Sequence, residues 1–147
     1  MYFYIFFFFK KGTNWTFDLS LPSIVDTLPH LGHVASMEPA YKLSKGRGFV
    51  SLVLGIPTVK RGSQSYLEQT LRSIFDNMSE ADAADSLVIL MVAEPYDPDH
   101  VKKVAEAVAT SFQPQLASGL LEIIAPPAEF YPDMSNLRQT FGDPADR

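Results

Sequence analysis

The chain has 147 residues, of which 46% are apolar, and this length and composition suit one globular domain with a buried core. Its 17 acidic and 12 basic residues give a net charge of -5, so no broad cationic surface is present for nucleic acid or an anionic membrane. Because cysteine is absent, disulfides, a thiol nucleophile and cysteine-ligated metal are excluded.

The first residues form an aromatic run from Met1 to Phe9, followed by Lys10 and Lys11. The run has about half of the ~20 residues that a helix needs to cross a bilayer. Its charges follow the apolar run, whereas a secretory signal carries them in front. We interpret it as a non-native or misassigned start, and expect membrane contact only through a missing or non-native anchor.

The segment from Gly12 to Arg47 shows no sustained period of 2 or 3.6 and is interrupted by prolines and glycines. We expect at most one short turn of helix there, near Ile24 to Leu28. Asn14, in this segment, and Asn77 each begin an N-glycosylation acceptor triplet. Such triplets have meaning only if the chain enters the secretory pathway.

Three short apolar runs predict buried strands, at residues 49–54, 86–93 and 120–125. The first run stops at Gly55 and passes into Pro57. Two amphipathic helices lie between the runs, one with the spacing of a capping box at Ser65 and one opened by Asp97 and Pro98. This β-α-β-α-β order predicts a parallel sheet with helices on its faces. Such sheets usually have about five or six strands, so we interpret the chain as a fragment.

The carboxyl ends of parallel strands are where open α/β sheets bind ligands. After the first strand this edge carries Thr58, Lys60 and Arg61, and we expect the chemistry of the site to begin there. Asp97 and Asp99 have the spacing of an acidic metal motif. The proline between them and their place at a helix start favour a helix cap instead, so we expect no metal site in this chain.

A series of short motifs resembles one enzyme family in order and spacing. The motifs include Gly55-Ile56-Pro57-Thr58-Val59-Lys60-Arg61, Ser65-Tyr66-Leu67, Pro126-Pro127, Tyr131-Pro132-Asp133, Asn136-Leu137 and Thr140-Phe141-Gly142-Asp143. That family is the alpha-1,3-mannosyl-glycoprotein 4-beta-N-acetylglucosaminyltransferases, also called N-acetylglucosaminyltransferase IV. The likeness extends from about Leu28 to the last residue.

The resemblance implies a GT-A type nucleotide-binding α/β sandwich. The chain would then divide into an aromatic lead-in at 1–23, an irregular lead-in at 24–48 and the amino-terminal part of a glycosyltransferase domain at 49–147. The implied nucleotide-binding residues are Thr58, Lys60, Arg61, Glu94 and Asn136. Among them, Glu94 would accept the N–H of a uracil ring. Tyr96 and Tyr131 either stack on a base or sugar or simply pack loops.

The implied activity is inverting transfer of N-acetylglucosamine from UDP-N-acetylglucosamine to a core mannose of an N-glycan acceptor, in beta-1,4 linkage. It would take place on the lumenal side of the Golgi membrane. A divalent cation, Mn²⁺ or Mg²⁺, is expected for the full-length family enzyme, because negative charge grows on the leaving UDP.

The acidic metal motif and the presumed catalytic base of full members find no counterpart in this sequence. We therefore expect no catalytic residue in the fragment, and expect it to be inactive alone. The alternative is a non-catalytic relative that binds or regulates another Golgi glycosyltransferase. An unrelated small α/β binding domain would explain the periodicity but not the ordered motifs.

Overall fold

The computed structural model describes residues 4–7, 24–33, 38–61 and 66–131. Their strands are β1 Tyr4–Phe7, β2 Tyr41–Leu43, β3 Leu52–Thr58, β4 Ser86–Val92 and β5 Leu121–Ala125. Their helices are α1 Ile24–Thr27, α2 Leu67–Asp76, α3 Glu80–Ala84, α4 Pro98–Ser111 and α5 Gln113–Ser118, with 3-10 turns at Pro29–His33 and Ala128–Phe130. The predicted α/β class is confirmed. None of these helices is long and apolar enough to cross a membrane.

The strands of these ranges form one sheet in the order β1-β3-β4-β5-β2. As predicted, β3, β4 and β5 are parallel neighbours; Leu54 pairs with Val88, and Leu90 with Ile123. The two outer strands are antiparallel to their neighbours. The predicted parallel core is thus present, but the sequence did not predict the edge strands, which come from both lead-in regions and make the sheet mixed.

The strand β2 lies in the segment 24–48, which we expected to be irregular apart from one turn of helix. Its residues pair with β5, from Tyr41 beside Ala125 to Leu43 beside Ile123. Just beyond it, the Ser44 hydroxyl donates to the buried Glu122 carboxylate at 2.5 Å. This bond gives the carboxylate a partner that its removal from water requires.

The strand β3 begins and ends later along the chain than the sequence predicted. Phe49, which we placed in the strand, is 96% exposed and has φ +61°, a left-handed backbone uncommon outside glycine. Within β3 only Ile56 is buried, so the prediction of a strand buried on both faces is wrong.

Pro57 lies inside β3 without disturbing its pairing with β4. Backbone groups alternate in direction along a strand, and the Thr58 carbonyl accepts the N–H of Ala93 beyond β4. Pro57 therefore directs its missing N–H away from β4, towards the side of β1. On that side the described pairs with β1 end at Tyr4 and Gly55, so the proline interrupts none of the described ladder bonds.

The helices α2 and α4 connect the parallel strands and pack on the same face of the sheet. Right-handed crossovers give this arrangement when successive strands advance in one direction. The core consists chiefly of Ile56, Val88, Leu90, Val92, Leu121, Ile123 and Ala125 from the strands and Leu71, Val101, Ala105, Val108 and Phe112 from the helical side. Full burial of a side chain such as Leu71 or Leu90 contributes about 1.5–3 kcal/mol.

Two short helices were not predicted. Between α2 and β4, the Ser79 hydroxyl accepts the N–H of Asp82 and caps α3. After a break at Phe112 the chain continues as α5, which ends at Gly119 with φ +77°. The predicted capping residue of α2, Ser65, lies outside the described residues.

Candidate functional site

The carboxyl ends of β3 and β4 lie side by side, and the loops that follow them meet. Thr58 pairs with Val92, and the Thr58 carbonyl accepts the N–H of Ala93 at 2.8 Å. Just beyond this last pair, the main-chain N–H of Lys60 donates to Oε1 of Glu94. The structure thus brings three of the predicted site residues, Thr58, Lys60 and Glu94, to one edge.

The side chain of Lys60 reaches from the same loop to the start of α4. Its Nζ lies 2.6 Å from Oδ2 of Asp97. The other carboxylate oxygen, Oδ1, accepts the main-chain N–H of His100 at 3.0 Å, and Pro98 occupies the first turn of the helix. The interpretation of Asp97 as a helix cap is confirmed. The ion pair with Lys60 was not predicted, because sequence spacing does not tell where a loop lysine points.

The charges of this pair stabilise each other. The hydrogen bond and charge of Asp97 raise the pKa of Lys60 above 10.5, with a further, smaller contribution from Glu94. The hydrogen bond from Lys60, followed by that from the N–H of His100, lowers the pKa of Asp97 below 3.8. Because the side chains are 60% and 33% exposed, solvent and salt weaken the attraction.

Tyr131 brings a hydroxyl to the surroundings of Glu94. Burial, and secondarily the charge of Glu94, raise the pKa of Tyr131 above 10.0. The hydroxyl oxygen is buried and makes no hydrogen bond within the part of the chain that the structure describes. Buried tyrosine hydroxyls usually have a partner, so this one is a candidate donor to a ligand. Sequence reasoning considered its ring but missed its hydroxyl.

The family model described as MGAT4 conserved region matches residues 19–147. The chain belongs to the MGAT4 family. It is similar to alpha-1,3-mannosyl-glycoprotein 4-beta-N-acetylglucosaminyltransferase A of Mus musculus, with 44% identity over 131 residues, and of Xenopus tropicalis, with 43% over 130. Form B of Mus musculus is 42% identical over 130 residues. Each comparison covers 88% of this chain but 24% of the relative, so the chain spans about a quarter of their length.

The MGAT4 match confirms the family that the sequence motifs indicated. It begins at residue 19 and therefore includes β2 to β5 and the whole Lys60, Glu94 and Asp97 cluster, but not β1. No solved structure matches the chain.

The other residues that the sequence predicted as functional in this MGAT4 chain make no hydrogen bond or ion pair with the cluster of Lys60, Glu94 and Asp97 within the described ranges. Arg61 is exposed next to Lys60 and makes no hydrogen bond or ion pair with another described residue. Asn136 and Asn14 lie outside the described residues. Asn77 is exposed at the end of α2, where its side-chain amide donates to the carbonyl of Ser73 at 2.7 Å.

Two apolar grooves of about 310 Å³ each lie elsewhere on the MGAT4 chain. One runs between α2 and α4 and is lined by Leu67 and Phe112, and the other lies between the end of β2 and α5, beside Leu43 and Leu116. We place the site at the strand edge rather than in either groove, because charged side chains from two loops meet at that edge, at the ligand-binding end of the parallel strands, whereas both grooves are lined mainly by apolar surface. In the same ranges, no group of three or more acidic or histidine side chains is arranged to hold a metal ion.

Proposed function

We propose that this chain forms the donor-nucleotide-binding part of a transferase that moves N-acetylglucosamine from UDP-N-acetylglucosamine to a mannose of an N-glycan. The names of the relatives support the sugar and the mannosyl-glycoprotein acceptor. The observation that carries the nucleotide role is the Glu94 carboxylate, which the Lys60 N–H holds at the carboxyl edge of two parallel strands. Ligands of open α/β sheets bind at this edge.

The geometry of Glu94 suits recognition of uracil. Oε1 accepts the main-chain N–H of Lys60, while Oε2 makes no hydrogen bond within the described ranges. The imide N–H of uracil is a donor, whereas the same ring position of cytosine is an acceptor. A carboxylate oxygen therefore pairs with uracil and is left unpaired opposite cytosine, which disfavours the wrong base.

Arg61 is the candidate for the diphosphate. Its guanidinium is exposed beside the same edge and has no described partner, whereas the Lys60 ammonium is already paired with Asp97. A planar guanidinium binds phosphate oxygens in pairs, which favours Arg61 over Lys60 for this role. Asn136 remains a proposed donor-site residue on the resemblance alone.

We extend the proposal to the whole enzyme: a GT-A type fold, inverting beta-1,4 transfer in the Golgi lumen, and a divalent cation at the diphosphate. The parallel core of β3, β4 and β5 supports the fold. The described residues do not fit the cation, because both carboxylate oxygens of Asp97 are engaged, by the cap and by Lys60. No step is assigned to a metal within these residues.

The proposal is tested by calorimetric titration of UDP and CDP into the purified chain, Glu94→Gln and Arg61→Ala. We expect the wild type to prefer UDP, and Glu94→Gln to lose that preference with an unchanged melting temperature. Arg61→Ala should weaken UDP binding about ten- to a hundredfold, the effect of one hydrogen bond to a charged group. Equal binding of UDP and CDP by the wild type would contradict the assignment of Glu94.

A further inference from the structure

Among the described residues, Lys60 joins the loop after β3 to the loop before α4 at two points. Its main-chain N–H binds Glu94 and its side-chain Nζ binds Asp97. We propose that Asp97 is a positioning residue: by holding the Lys60 side chain, it keeps the Lys60 N–H on Glu94 and so orients the carboxylate that reads the base. This inference rests on the proposed function of Glu94.

The side-chain contact of Lys60 with Asp97 matters because the main-chain bond of Lys60 to Glu94 lies beyond the end of the sheet. The last sheet bond before Lys60 joins the Thr58 carbonyl to Ala93, and both Val59 and Lys60 are exposed. No sheet bond of the described residues therefore prevents the peptide before Lys60 from turning its N–H away from Glu94. The ion pair restrains that turn, because it fixes the same residue at the far end of its side chain.

Asp97 is itself held in place by hydrogen bonds of its side chain and its main chain. Its Oδ1 caps α4 through the N–H of His100, and its own N–H donates to the carbonyl of Glu94 at 3.3 Å. Glu94 and Asp97 thus belong to one closed turn that is continuous with the helix. Lys60 contacts both ends of this turn, and its positive charge lies near the carboxylates of Glu94 and Asp97. Without that charge the two carboxylates would repel each other, and both would repel a bound diphosphate.

The two oxygens of Asp97 allow the cap and the ion pair to be separated by mutation. Asp97→Asn keeps an oxygen for the helix cap, since asparagine caps about as well as aspartate, but it removes the charge. Lys60→Met removes the ammonium and leaves the main-chain N–H in place, and Lys60→Arg restores a cation. The control is Glu68→Gln, which removes the charge of an exposed 2.7 Å ion pair with Arg72 within α2, a pair that shares no residue with the contacts of Lys60, Glu94 and Asp97.

We expect Asp97→Asn and Lys60→Met each to weaken UDP binding about two- to fivefold, the range of an exposed ion pair, and to narrow the preference for UDP over CDP. The double variant should lose no more than either single one, because both remove the same interaction. Lys60→Arg should restore the preference, and Glu68→Gln should bind as the wild type does. A merely structural role would change melting temperatures without changing the preference between bases.

A ligand-free measurement separates this inference from the proposed function. By NMR, the Lys60 amide proton should be protected from exchange in the wild type and exchange faster in Asp97→Asn. Equal protection of the Lys60 amide in both proteins, or an unchanged preference for UDP over CDP in Asp97→Asn, would overturn the positioning role of Asp97. Either result would leave the proposed recognition of uracil by Glu94 intact. If the wild type binds neither nucleotide, the proposed function fails, and faster exchange in Asp97→Asn would still support the restraint of Lys60 by Asp97.

Discussion

The ion pair of Lys60 and Asp97 should make stability depend on pH at both ends of the range. The pKa of Asp97 is lowered below 3.8, so its contribution is present above 3.8 and is lost as the pH falls through the folded-state pKa. The pKa of Lys60 is raised above 10.5, so its contribution is complete below 10.5 and is lost as the pH rises through the folded-state pKa. Denaturant titration of the wild type and Asp97→Asn should show a stability difference with a plateau between these limits.

The matched control for this experiment is Asp99→Asn, which removes a neighbouring charge from the first turn of α4 but leaves the Lys60 pair intact. Its stability difference from the wild type should not follow the titration of Lys60 at high pH. A difference for Asp97→Asn that stays constant across the whole range would show that the pair adds nothing to folding.

Among single residues, Phe49 shows where an apolar pattern misleads. It adjoins the run that forms β3, yet its side chain is 96% exposed and its φ is +61°. The hydrophobicity of one residue does not reveal that the backbone turns before the strand starts. Conversely, the cap at Asp97 was predictable because it depends on neighbours in sequence, whereas the partner of its second oxygen lies on another loop.

At the scale of the element, the end of α5 depends on a left-handed backbone. Gly119 has φ +77°, and an added Cβ would lie 3.4 Å from the Cβ atoms of Arg47 and Lys45, an ordinary contact distance. The cost of Gly119→Ala therefore comes from the backbone, at about 1–2 kcal/mol before a smaller entropic gain is subtracted. Gly46→Ala, with φ +71° in open space, should cost about the same in denaturant unfolding.

Gly48 provides the comparison, since it also lies in open space but has no positive φ. Gly48→Ala should leave stability unchanged or raise it by up to about 1 kcal/mol, through the unfolded chain. Equal losses at all three glycines would contradict a backbone origin of the effect.

Elements that carry their own local signal were predicted, and elements defined by distant pairing were not. The helix α4 has a cap, a proline and regular apolar spacing, β4 is apolar from Leu87 to Val92, and β5 is apolar except for Glu122. The edge strands β1 and β2 are only 4 and 3 residues long. Such short segments have no period that indicates a strand, and their partners lie far along the chain. The predicted topology was enough to place the candidate site at the carboxyl ends of β3 and β4. It was not enough to predict the contacts of Lys60 with Glu94 and Asp97 at that edge.

At the scale of the whole molecule, Arg47 links the segment after β2 to three other elements. Its Nη1 donates to the carbonyls of Ala83 in α3 and Ser86 in β4, at 2.6 and 3.0 Å, and its Nη2 to that of Ser118 in α5, at 3.2 Å. Two of these carbonyls belong to helix ends, where partners and positive charge are favourable. Arg47→Met should lower the free energy of unfolding by about 1.5–3 kcal/mol in urea.

Lys45→Met tests whether any cation in this segment would have the same effect. Lys45 is exposed, and its replacement should change stability by no more than about 0.5 kcal/mol. Arg47→Lys should recover only part of the loss, because an ammonium cannot span three carbonyls as a guanidinium does. An Arg47→Met protein that unfolds at the wild-type urea concentration would show that the three bonds merely exchange for water.

The strand order has a consequence for synthesis on the ribosome. The edge strands β1 and β2 precede the strands that they pair with, and Ser44 beside β2 lies 78 residues from its partner Glu122. The parallel core is contiguous in sequence, whereas closing such long loops costs entropy before any contact repays it. β1 can pair with β3 once that strand has emerged, but β2 has no partner until β5 has emerged, and in that interval another chain can pair with the open strands. β2 therefore precedes the whole parallel core in sequence and yet is the last of the described strands that can dock.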